Sequence, residues 1–406
     1  MALDKEHRDW LTLALVPGVG TANFIRLLAR FHTPANVLEA SEAALKEVVG
    51  QKVAERIRKY KDVVDIDTQK RLIEQYDVKL ITLDDPEYPQ RLAEIYNPPL
   101  VLFVRGELIE SDTNAVAIVG TRRPTPYGIR MAEKFGRELA ARGVTVVSGM
   151  AIGTDTAAHR GALDAGGRTI AIFGNGVDVV YPRQNAELMD QIIKQGCAIS
   201  EFDMGARPSR GNFPYRNRVI SGMTLGTLII EAPATSGALI TARQAAEQGR
   251  EVFAVPGQVG VRNSEGPHSL IRDGAKLAET VEDILVELEV PAEIRTELPA
   301  DIPRKSVAEK PSPPDTTPVR SAGRETQSRP APTPEPEPER KPAKTTARNI
   351  TDLEKQVLSV LSPDGSFVDE IAQACRVSVS DTLSSLTILE LKGLVRQFSG
   401  KRFAPR

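Results

Sequence analysis

The segment Val144-Thr145-Val146-Val147-Ser148-Gly149-Met150-Ala151-Ile152-Gly153-Thr154-Asp155 joins a short apolar run, a glycine turn and the start of a stretch of helical length. A continuous run of β-branched residues predicts a strand that is buried on both faces. Glycines in the turn let the backbone approach a ligand closely. The amphipathic stretch Gly153–Ala165 predicts the helix that follows. This order of strand, turn and helix is typical of an α/β fold.

The same order recurs between residues 113 and 290. The other apolar runs that end in small residues are Ala115–Gly120, Thr169–Gly174, Cys197–Glu201, Thr227–Ala232 and Val252–Gly257. Helical stretches such as Gly128–Arg142 separate most of these runs. We therefore predict a Rossmann-like, doubly wound parallel sheet with helices on both faces. Ligands of such sheets bind outside the carboxyl ends of the strands.

Residues 1–75 predict a small helical domain that resembles a helix-hairpin-helix or SAM-like unit. Its turn Pro17-Gly18-Val19-Gly20 lies between Leu11–Val16 and Ala22–Phe31. Such a turn could offer backbone amides to a DNA phosphate, or the domain could serve packing or dimerisation. The sheet domain is assigned to residues 76–290, in which residues 76–112 are expected to form an irregular connector with a strand at Leu100–Arg105.

Residues 291–346 contain 13 of the 29 prolines of the chain and predict a disordered linker. It could be a spacer alone or carry a partner-binding motif. Residues 347–406 predict a winged-helix domain. Its expected elements are helices at Leu353–Leu361, Phe367–Ala374 and Thr382–Leu391, a capping box of Ser378 and Asp381, and a hairpin within Leu394–Phe403. The nearly balanced charge of this domain leaves both DNA contact and protein contact open.

Composition limits the class of protein. The chain has 406 residues, a net charge of −2 and 41% hydrophobic residues, which is typical of a globular protein with two or three domains. Because the net charge is small, any polyanion site must be a concentrated patch. The sequence shows neither a secretory signal nor an apolar run of membrane-spanning length. Two cysteines, Cys197 and Cys375, suit a reducing compartment, so we expect a cytoplasmic protein.

One such patch is present in the sequence. Residues Arg207–Arg218 contain four arginines, Phe213 and Tyr215, and no carboxylate. Guanidinium groups bind phosphate oxygens bidentately, and aromatic rings stack on bases. The cluster therefore indicates a polyanion site, with nucleic acid as the favoured ligand.

Glycine turns and arginines at the ends of several runs extend this site. Arg122 follows the first strand and Arg183 follows the third, so both should lie near the same sheet edge as the arginine cluster. The first turn lacks G-x-G-x-x-G and no Walker lysine follows, so no dinucleotide or nucleoside triphosphate cofactor is expected. Asp155 and His159 could form an acid–base pair, but the absence of an accompanying nucleophile or metal cluster favours a helix cap and a buried histidine that support the loop.

Ordered motifs in this region carry a family resemblance. They are Gly120-Thr121-Arg122, the turn Ser148-Gly149-Met150-Ala151-Ile152-Gly153-Thr154-Asp155 with His159, Tyr181-Pro182, Ser200-Glu201, Phe213-Pro214-Tyr215-Arg216-Asn217-Arg218, Ser236-Gly237-Ala238-Leu239-Ile240-Thr241 and Val255-Pro256-Gly257. In order and spacing, residues 80–290 resemble the DNA-processing protein A (DprA/Smf) family. The helical and winged-helix domains are similar to the flanking domains of that family.

The resemblance implies a protein without enzymatic activity. It would bind single-stranded DNA in natural transformation, protect incoming strands and help load the RecA recombinase, acting as a homodimer through its Rossmann-like domain. The resemblance implies basic DNA contacts at Arg122, Arg183 and Arg210. Together with the glycine turns and the arginine cluster, the full set of expected DNA contacts is Gly120, Thr121, Arg122, Ser148, Gly149, Gly153, Gly174, Arg183, Arg210, Phe213, Arg216, Asn217, Arg218, Ser236 and Gly237. Many members have lysine where Arg183 and Arg210 stand, and Arg207 also fits the position of Arg210. Arg216, Asn217 and Arg218 could also brace the loop and the following helix.

Two other functions remain open. The turn at Gly226-Thr227 with Glu231 resembles nucleoside-monophosphate phosphoribohydrolases of the same wider superfamily, although the glycine run and the second acid of those enzymes are absent. Alternatively, the chain could be a scaffold whose linker and winged helix recruit partners. The arginine cluster argues against an inert sheet in such a scaffold.

Overall fold

The segment around Val144–Asp155 folds as the sequence predicts. A strand covers Thr145–Ser148, a turn follows, and a helix begins at Thr154. The structure, a computed structural model, describes residues 3–288, residue 290 and, within 352–405, residues 352–362, 365–375, 377, 382, 385–386, 389, 394–398 and 402–405. Contacts divide the chain into two units, residues 1–308 and residues 309–406. The predicted linker, 291–346, lies outside the described residues.

The N-terminal domain is helical, as predicted. Its helices are α1 (Lys5–Leu15), α2 (Thr21–Phe31), α3 (Pro34–Glu39), α4 (Glu42–Val49), α5 (Gln51–Arg58), α6 (Tyr60–Val63) and α7 (Ile66–Gln75). Four of them begin at a Ser, Thr or Asp whose side chain accepts a backbone N–H of the first turn, which satisfies one free donor. Trp10 packs on Phe24 and donates its indole N–H to the Leu100 carbonyl at 2.9 Å. Thr21 donates its hydroxyl to the Pro98 carbonyl at the same distance, so the domain is joined to the sheet.

A nine-stranded sheet forms the centre of the first unit. Its strands are β1 (Lys79–Thr82), β2 (Val101–Gly106), β3 (Ala115–Val119), β4 (Thr145–Ser148), β5 (Thr169–Phe173), β6 (Cys197–Ser200), β7 (Gly226–Ile229), β8 (Glu251–Ala254) and β9 (Lys276–Leu277). The order is β1-β2-β6-β5-β4-β3-β7-β8-β9. Strands β3 to β9 are parallel to one another. Their order reverses around β3, as in a doubly wound fold.

One correction concerns the edge beyond β6. The predicted parallel sheet is confirmed for β3 to β9, and β1 and β2 extend it from β6 as an antiparallel hairpin. Strand β1 lies in the segment that we expected to be an irregular connector. Because β1 has only four residues, its apolar and polar positions form too short a pattern to predict a strand.

Helices cover both faces of the sheet. They are α8 (Gln90–Ala93), α9 (Pro126–Ala141), α10 (Thr154–Asp164), α11 (Ala186–Gln195), α12 (Asn212–Gly222), α13 (Ala238–Glu247), α14 (Glu265–Arg272) and α15 (Val281–Leu285), with short 3₁₀ turns at Glu110–Thr113, Arg183–Asn185 and Arg262–Ser264. Alternate residues of β3 enter different cores. Val116 and Ile118 pack with Phe135 of α9, whereas Ala117 and Val119 pack with Ile220 of α12. This burial on both faces explains why the strands are continuous apolar runs.

The second unit is a winged-helix domain with its own core. Its described elements are α16 (Asp352–Val360), β10 (Ser366–Phe367), α17 (Val368–Cys375), β11 (Val395–Phe398) and β12 (Arg402–Pro405). The strands form an antiparallel sheet in the order β10-β12-β11. Val357, Ile371, Leu386 and Phe403 are among its buried core. The predicted capping box of Ser378 and Asp381, and much of the predicted helix Thr382–Leu391, lie outside the described residues.

Candidate nucleic-acid interface

The predicted site residues lie mainly at the carboxyl edge of the parallel strands. Gly120 follows β3, Gly149 follows β4 and Gly174 follows β5. The first two turns are joined, because the Thr121 carbonyl accepts hydrogen bonds from the Thr154 amide at 3.3 Å and the Thr154 hydroxyl at 3.1 Å. Gly153 is the residue that caps α10. The buried Ser148 hydroxyl donates to the Ile118 carbonyl at 2.6 Å, so Ser148 holds neighbouring strands together.

Two adjoining cavities open along this edge, with volumes of about 620 and 630 Å³. Both are lined by Arg122, Ala151, Tyr181, Phe213 and Arg216. The first cavity also contacts Gly149, Gly174 and Arg183, and the second also contacts Gly120, Arg210, Asn217, Ser236 and Gly237. Together they form one groove, which we call the arginine groove.

Phe213 lies at the centre of the arginine groove. The Arg122 guanidinium lies 5.4 Å from the centre of its ring, and the Tyr181 ring lies 5.7 Å from it. Gly174 makes this position possible, because a Cβ there would come within 2.8 Å of the Phe213 ring. An aromatic ring with a guanidinium beside it offers a stacking surface for a base and a charge for the adjoining phosphate.

Three exposed arginines provide cationic groups in and around this groove. Arg122, Arg183 and Arg210 are exposed and line the cavities. Across the described part of the chain, none of the three forms an ion pair. Arg207 is also exposed, but it is not among the residues that line either cavity. The structure thus places Arg210, rather than Arg207, in the groove.

Arg216 lies beneath the groove. It is only 4% exposed, and its guanidinium donates to the Gly149 carbonyl at 3.0 Å and to the Ile172 carbonyl. Burial lowers the pKa of Arg216 to about 10. A side chain at residue 149 would collide with the Arg216 guanidinium, since a Cβ there would come within 2.6 Å of it. Arg216 therefore supports the turn and lends a buried positive charge to the groove wall.

Asp155 supports the turn after β4, whereas His159 contacts the amino end of β5 and not the turn that the sequence predicted it would support. The Asp155 carboxylate accepts the amides of Gly149 at 3.1 Å and Ala151 at 3.2 Å, so it supports the loop. The predicted helix cap is wrong, because Asp155 lies inside α10 and Gly153 caps that helix. Burial raises the pKa of Asp155 to about 6, and the Arg216 guanidinium opposes this rise. His159 is fully buried, its Nδ1 is 2.7 Å from the Thr169 hydroxyl, and burial lowers its pKa to about 3.

Arg218 is one of four predicted site residues that line neither groove cavity, the others being Thr121, Ser148 and Gly153. It forms a bidentate pair with Glu201, at 2.7 and 2.6 Å, and both side chains are only 9% exposed. Arg218 lines neither of the two large cavities. Asn217, Ser236 and Gly237 line the second cavity near the start of α13, where the Asn217 amide approaches the Gly237 carbonyl at 3.5 Å.

Tyr181 belongs to the arginine groove but was not among the predicted site residues. Its ring is 42% exposed and faces Phe213. The signal in the sequence is an aromatic residue two positions before Arg183, close to the three-residue spacing between Phe213 and Arg216. Asn175 also lines the first cavity, but its amide is bonded to the carbonyls of Gly176 and Val179.

Glu231, the acid of the enzymatic alternative, binds the turn between β3 and α9. Its carboxylate accepts the Thr125 amide at 2.8 Å, the Thr125 hydroxyl at 2.6 Å and the Asn263 side-chain amide at 3.2 Å. It is 4% exposed. Among the described residues, no group of three or more His, Cys, Asp or Glu side chains could hold a metal ion. No helix in the described part of the chain is long and apolar enough to cross a membrane.

The fold defines a Rossmann-like protein that carries a helical domain and a winged-helix domain. Residues 79–289 match the family model described as DNA recombination-mediator protein A, and residues 327–401 match that of the DprA winged helix domain. The chain belongs to the DNA recombination-mediator protein A (DprA/Smf) family, so the resemblance seen in the sequence is confirmed.

Individual relatives agree with this assignment. The chain is 34% identical over 411 residues to Protein Smf from Synechocystis sp. The aligned region covers 99% of this chain and 100% of that protein. It is 44% identical over 207 residues to the DNA processing protein DprA from Streptococcus pneumoniae, covering 51% of this chain and 73% of that protein. The X-ray structure of DNA processing protein A from S. pneumoniae matches with a TM-score of 0.63 and 33% identity, covering 72% of this chain and 100% of that one.

Proposed function

We propose that this protein binds single-stranded DNA in the arginine groove and acts as a recombination mediator. The observation that supports this most directly is the combination of exposed Arg122, Arg183 and Arg210 with the rings of Phe213 and Tyr181 along one groove. Guanidinium groups bind phosphates whatever the sequence, and the rings stack on any unpaired base. A duplex keeps its bases stacked internally, so the groove should favour unpaired strands.

Fluorescence anisotropy with a labelled oligonucleotide tests this proposal. We expect binding to a single strand that depends little on sequence, exceeds binding to the matching duplex and weakens steeply with salt because counterions are released. Equal or tighter binding to the duplex, or no binding at micromolar protein, would refute the proposal.

The double variant Arg122→Ala/Arg210→Ala tests the location of the site. Each lost phosphate contact should reduce the salt slope by about 0.7, so the double variant should lose about 1.4. Its affinity should fall by about tenfold or more for all sequences alike, because charge-assisted hydrogen bonds are lost. The matched control is Arg130→Ala/Arg160→Ala, since both arginines are exposed and line neither cavity. A similar loss in this control would indicate a diffuse surface effect instead of the groove.

We further propose that the protein protects incoming DNA during natural transformation and helps load the RecA recombinase as a homodimer. Membership of the DNA recombination-mediator protein A family supports a role in strand transfer. The cytoplasm is the expected compartment, consistent with two free buried cysteines. RecA filament formation on strands coated by a single-strand-binding protein, with and without this protein, tests the loading step. Light scattering of the purified chain tests the dimer.

We propose binding rather than catalysis, because the acid required by the enzymatic alternative is already engaged. Glu231 is buried and bonded to Thr125 and Asn263, so it is not free to act on a substrate. Incubation with nucleoside monophosphates should release no free base. Release that is abolished by Glu231→Gln would favour the phosphoribohydrolase alternative.

A further inference from the structure

Tyr215 is an aromatic residue on α12 that the arginine groove does not include. Its ring is 45% exposed, and it lines a separate cavity of about 200 Å³ together with Asn97, Gly20 and Thr21. This cavity lies where the N-terminal helical domain meets the sheet domain. An exposed ring at such a position needs an explanation, because most large aromatic side chains gain stability from burial.

Three contacts hold the Tyr215 ring in place. The Arg218 guanidinium lies 4.0 Å from the ring centre and is itself fixed by the bidentate pair with Glu201. Phe202 approaches edge-on, with 6.4 Å between ring centres, and Asn97 donates its side-chain amide to the Tyr215 hydroxyl at 3.0 Å. A ring that is fixed in advance and still exposed loses little conformational entropy when a ligand stacks on it.

Tyr215 lies one strand away from the arginine groove at the same sheet edge, because Phe213 packs at Gly174 after β5 and Tyr215 packs on Phe202 after the neighbouring strand β6. Phe213 and Pro214 line the second cavity, and Tyr215 is the next residue of the same helix. Tyr96 precedes Asn97, the hydrogen-bond partner of Tyr215, and is 96% exposed. A strand that runs along this edge from β5 towards β6 would meet the exposed ring of Tyr215 after that of Phe213.

We propose that Tyr215, together with the exposed Tyr96 that precedes its partner Asn97, forms a second base-stacking site that extends the path of the single strand beyond the arginine groove. The ligand is one or two unpaired bases of the strand whose preceding nucleotides occupy the groove. This inference rests on the proposed function, because the second site needs a strand already bound in the groove. It predicts that Tyr215 contributes to the binding of long strands but not of strands short enough to fit within the groove.

Oligonucleotides of two lengths test the proposal with the full-length protein. We compare a thymidine oligomer of about 5 nucleotides with one of about 20 nucleotides, which brackets typical single-strand site sizes. Tyr215→Leu keeps an apolar cover on Arg218 but removes the ring. It should bind the short oligomer as the native protein does and the long oligomer about fivefold more weakly, as expected for the loss of one stacked base. Tyr215→Phe keeps the ring and should bind both oligomers normally.

Two further variants make the result decisive. Tyr96→Leu changes a side chain that is almost entirely exposed, so the fold should survive, and its affinity should fall for the long oligomer only. Tyr127→Leu is the matched control, because Tyr127 is 37% exposed but lies outside the groove and the Tyr215 cavity. A 2-aminopurine base placed beyond the groove-bound nucleotides should be quenched by the native protein and by Tyr215→Phe, but not by Tyr215→Leu.

The outcomes separate this proposal from the proposed function. If the native protein binds neither oligomer, the proposed function fails. If the native protein binds both oligomers, the proposed function is supported. If Tyr215→Leu and Tyr96→Leu then bind the long oligomer as tightly as the native protein does, the second stacking site is refuted. Equal losses for the short and long oligomers in Tyr215→Leu would also refute it, because they would indicate a structural effect on α12.

Discussion

At the residue scale, Gly174 sets the position of the central ring in the arginine groove. A Cβ at this residue would come within 2.8 Å of Phe213 Cδ1 and 3.2 Å of Cε1, which is closer than van der Waals contact allows. Because the Phe213 side chain can rotate away, Gly174→Ala should displace the ring rather than unfold the domain. We expect several-fold weaker single-strand binding with little change in melting temperature.

Gly211→Ala is the control for this substitution. Gly211 precedes α12, and a Cβ there would meet no atom within 4 Å. Anisotropy titrations of both variants should therefore show weaker binding for Gly174→Ala and native binding for Gly211→Ala. Native affinity in both would mean that the position of Phe213 does not matter for DNA binding.

We expect His159 to make the stability of the domain sensitive to acid. Burial lowers its pKa to about 3, whereas an unfolded chain has the ordinary value of about 6.5, so the unfolded state binds the proton first. Stability from this residue is complete above about pH 6.5 and is lost as the pH falls toward 3. Asp155 contributes to the pH dependence of stability with the opposite sign. Its pKa in the folded protein is raised to about 6, so acidification from pH 6 to pH 4 favours the folded state.

His159→Gln isolates the contribution of His159 to the pH dependence of stability, since glutamine can keep a hydrogen bond to Thr169 but does not titrate. The variant is expected to be less stable than the native protein at pH 7 and to lose less stability between pH 6.5 and 4. Urea unfolding at several pH values measures the difference. Parallel pH profiles for the two proteins would show that His159 is not the source of the acid sensitivity.

The arginine cluster shows what sequence reveals about single residues and what it misses. Clustering indicated a polyanion site, and the structure does bring Arg210 and Phe213 to one cavity. Composition does not reveal burial, so the sequence left Arg216 and Arg218 open either as DNA contacts or as braces of the loop and the following helix. Helical period favours the bracing role for Arg216, because it lies three and four residues before the buried Val219 and Ile220 and shares their inward face.

At the element scale, the buried pair of Arg218 and Glu201 fixes α12 to the end of β6. Burial raises the pKa of Glu201, and the Arg218 pair opposes that rise. Removing one partner leaves an uncompensated buried charge, so Glu201→Gln should cost about 3–5 kcal/mol of unfolding free energy. The double variant Glu201→Leu/Arg218→Met should cost less than the sum of its single substitutions.

The pair of Arg137 and Asp164 provides a surface comparison. Its charged atoms are 3.8 Å apart, and its side chains are 42% and 61% exposed. Breaking it should cost less than about 1 kcal/mol, because solvent screens the charges. Denaturant unfolding of the variants of the buried pair and of the surface pair measures the difference in unfolding free energy. A loss at Glu201 as small as that at Asp164 would show that α12 is held by packing alone.

Elements with a long or repeated pattern were predictable from the sequence, and short edge elements were not. The strand at Thr145–Ser148 and helix α10 lie within one or two residues of their predicted bounds, because burial on both faces leaves a continuous apolar run. Strand β1 is extended because it pairs with β2. Such tertiary pairing leaves little trace in four residues.

At the scale of the whole molecule, the hydrophobic cores divide in the same way as the chain. The clusters that pack the helical and sheet domains contain described residues up to Val290, whereas the winged-helix cluster contains residues from Leu353 onward. No described core residue belongs to both sets. We therefore expect each unit to fold without the other, and the arginine groove to be complete within the first unit.

A chain that ends at residue 308 tests this division of roles. It should keep the melting transition of the first unit and bind a 20-nucleotide strand within about threefold of the full-length affinity, because the groove residues and Tyr215 all precede the cut. If the winged helix recruits a partner, the shortened chain should bind DNA yet fail to promote RecA filaments. Full-length Arg122→Ala/Arg210→Ala should fail at both steps. A large loss of DNA affinity on truncation would instead place a substantial part of the DNA-binding surface beyond residue 308.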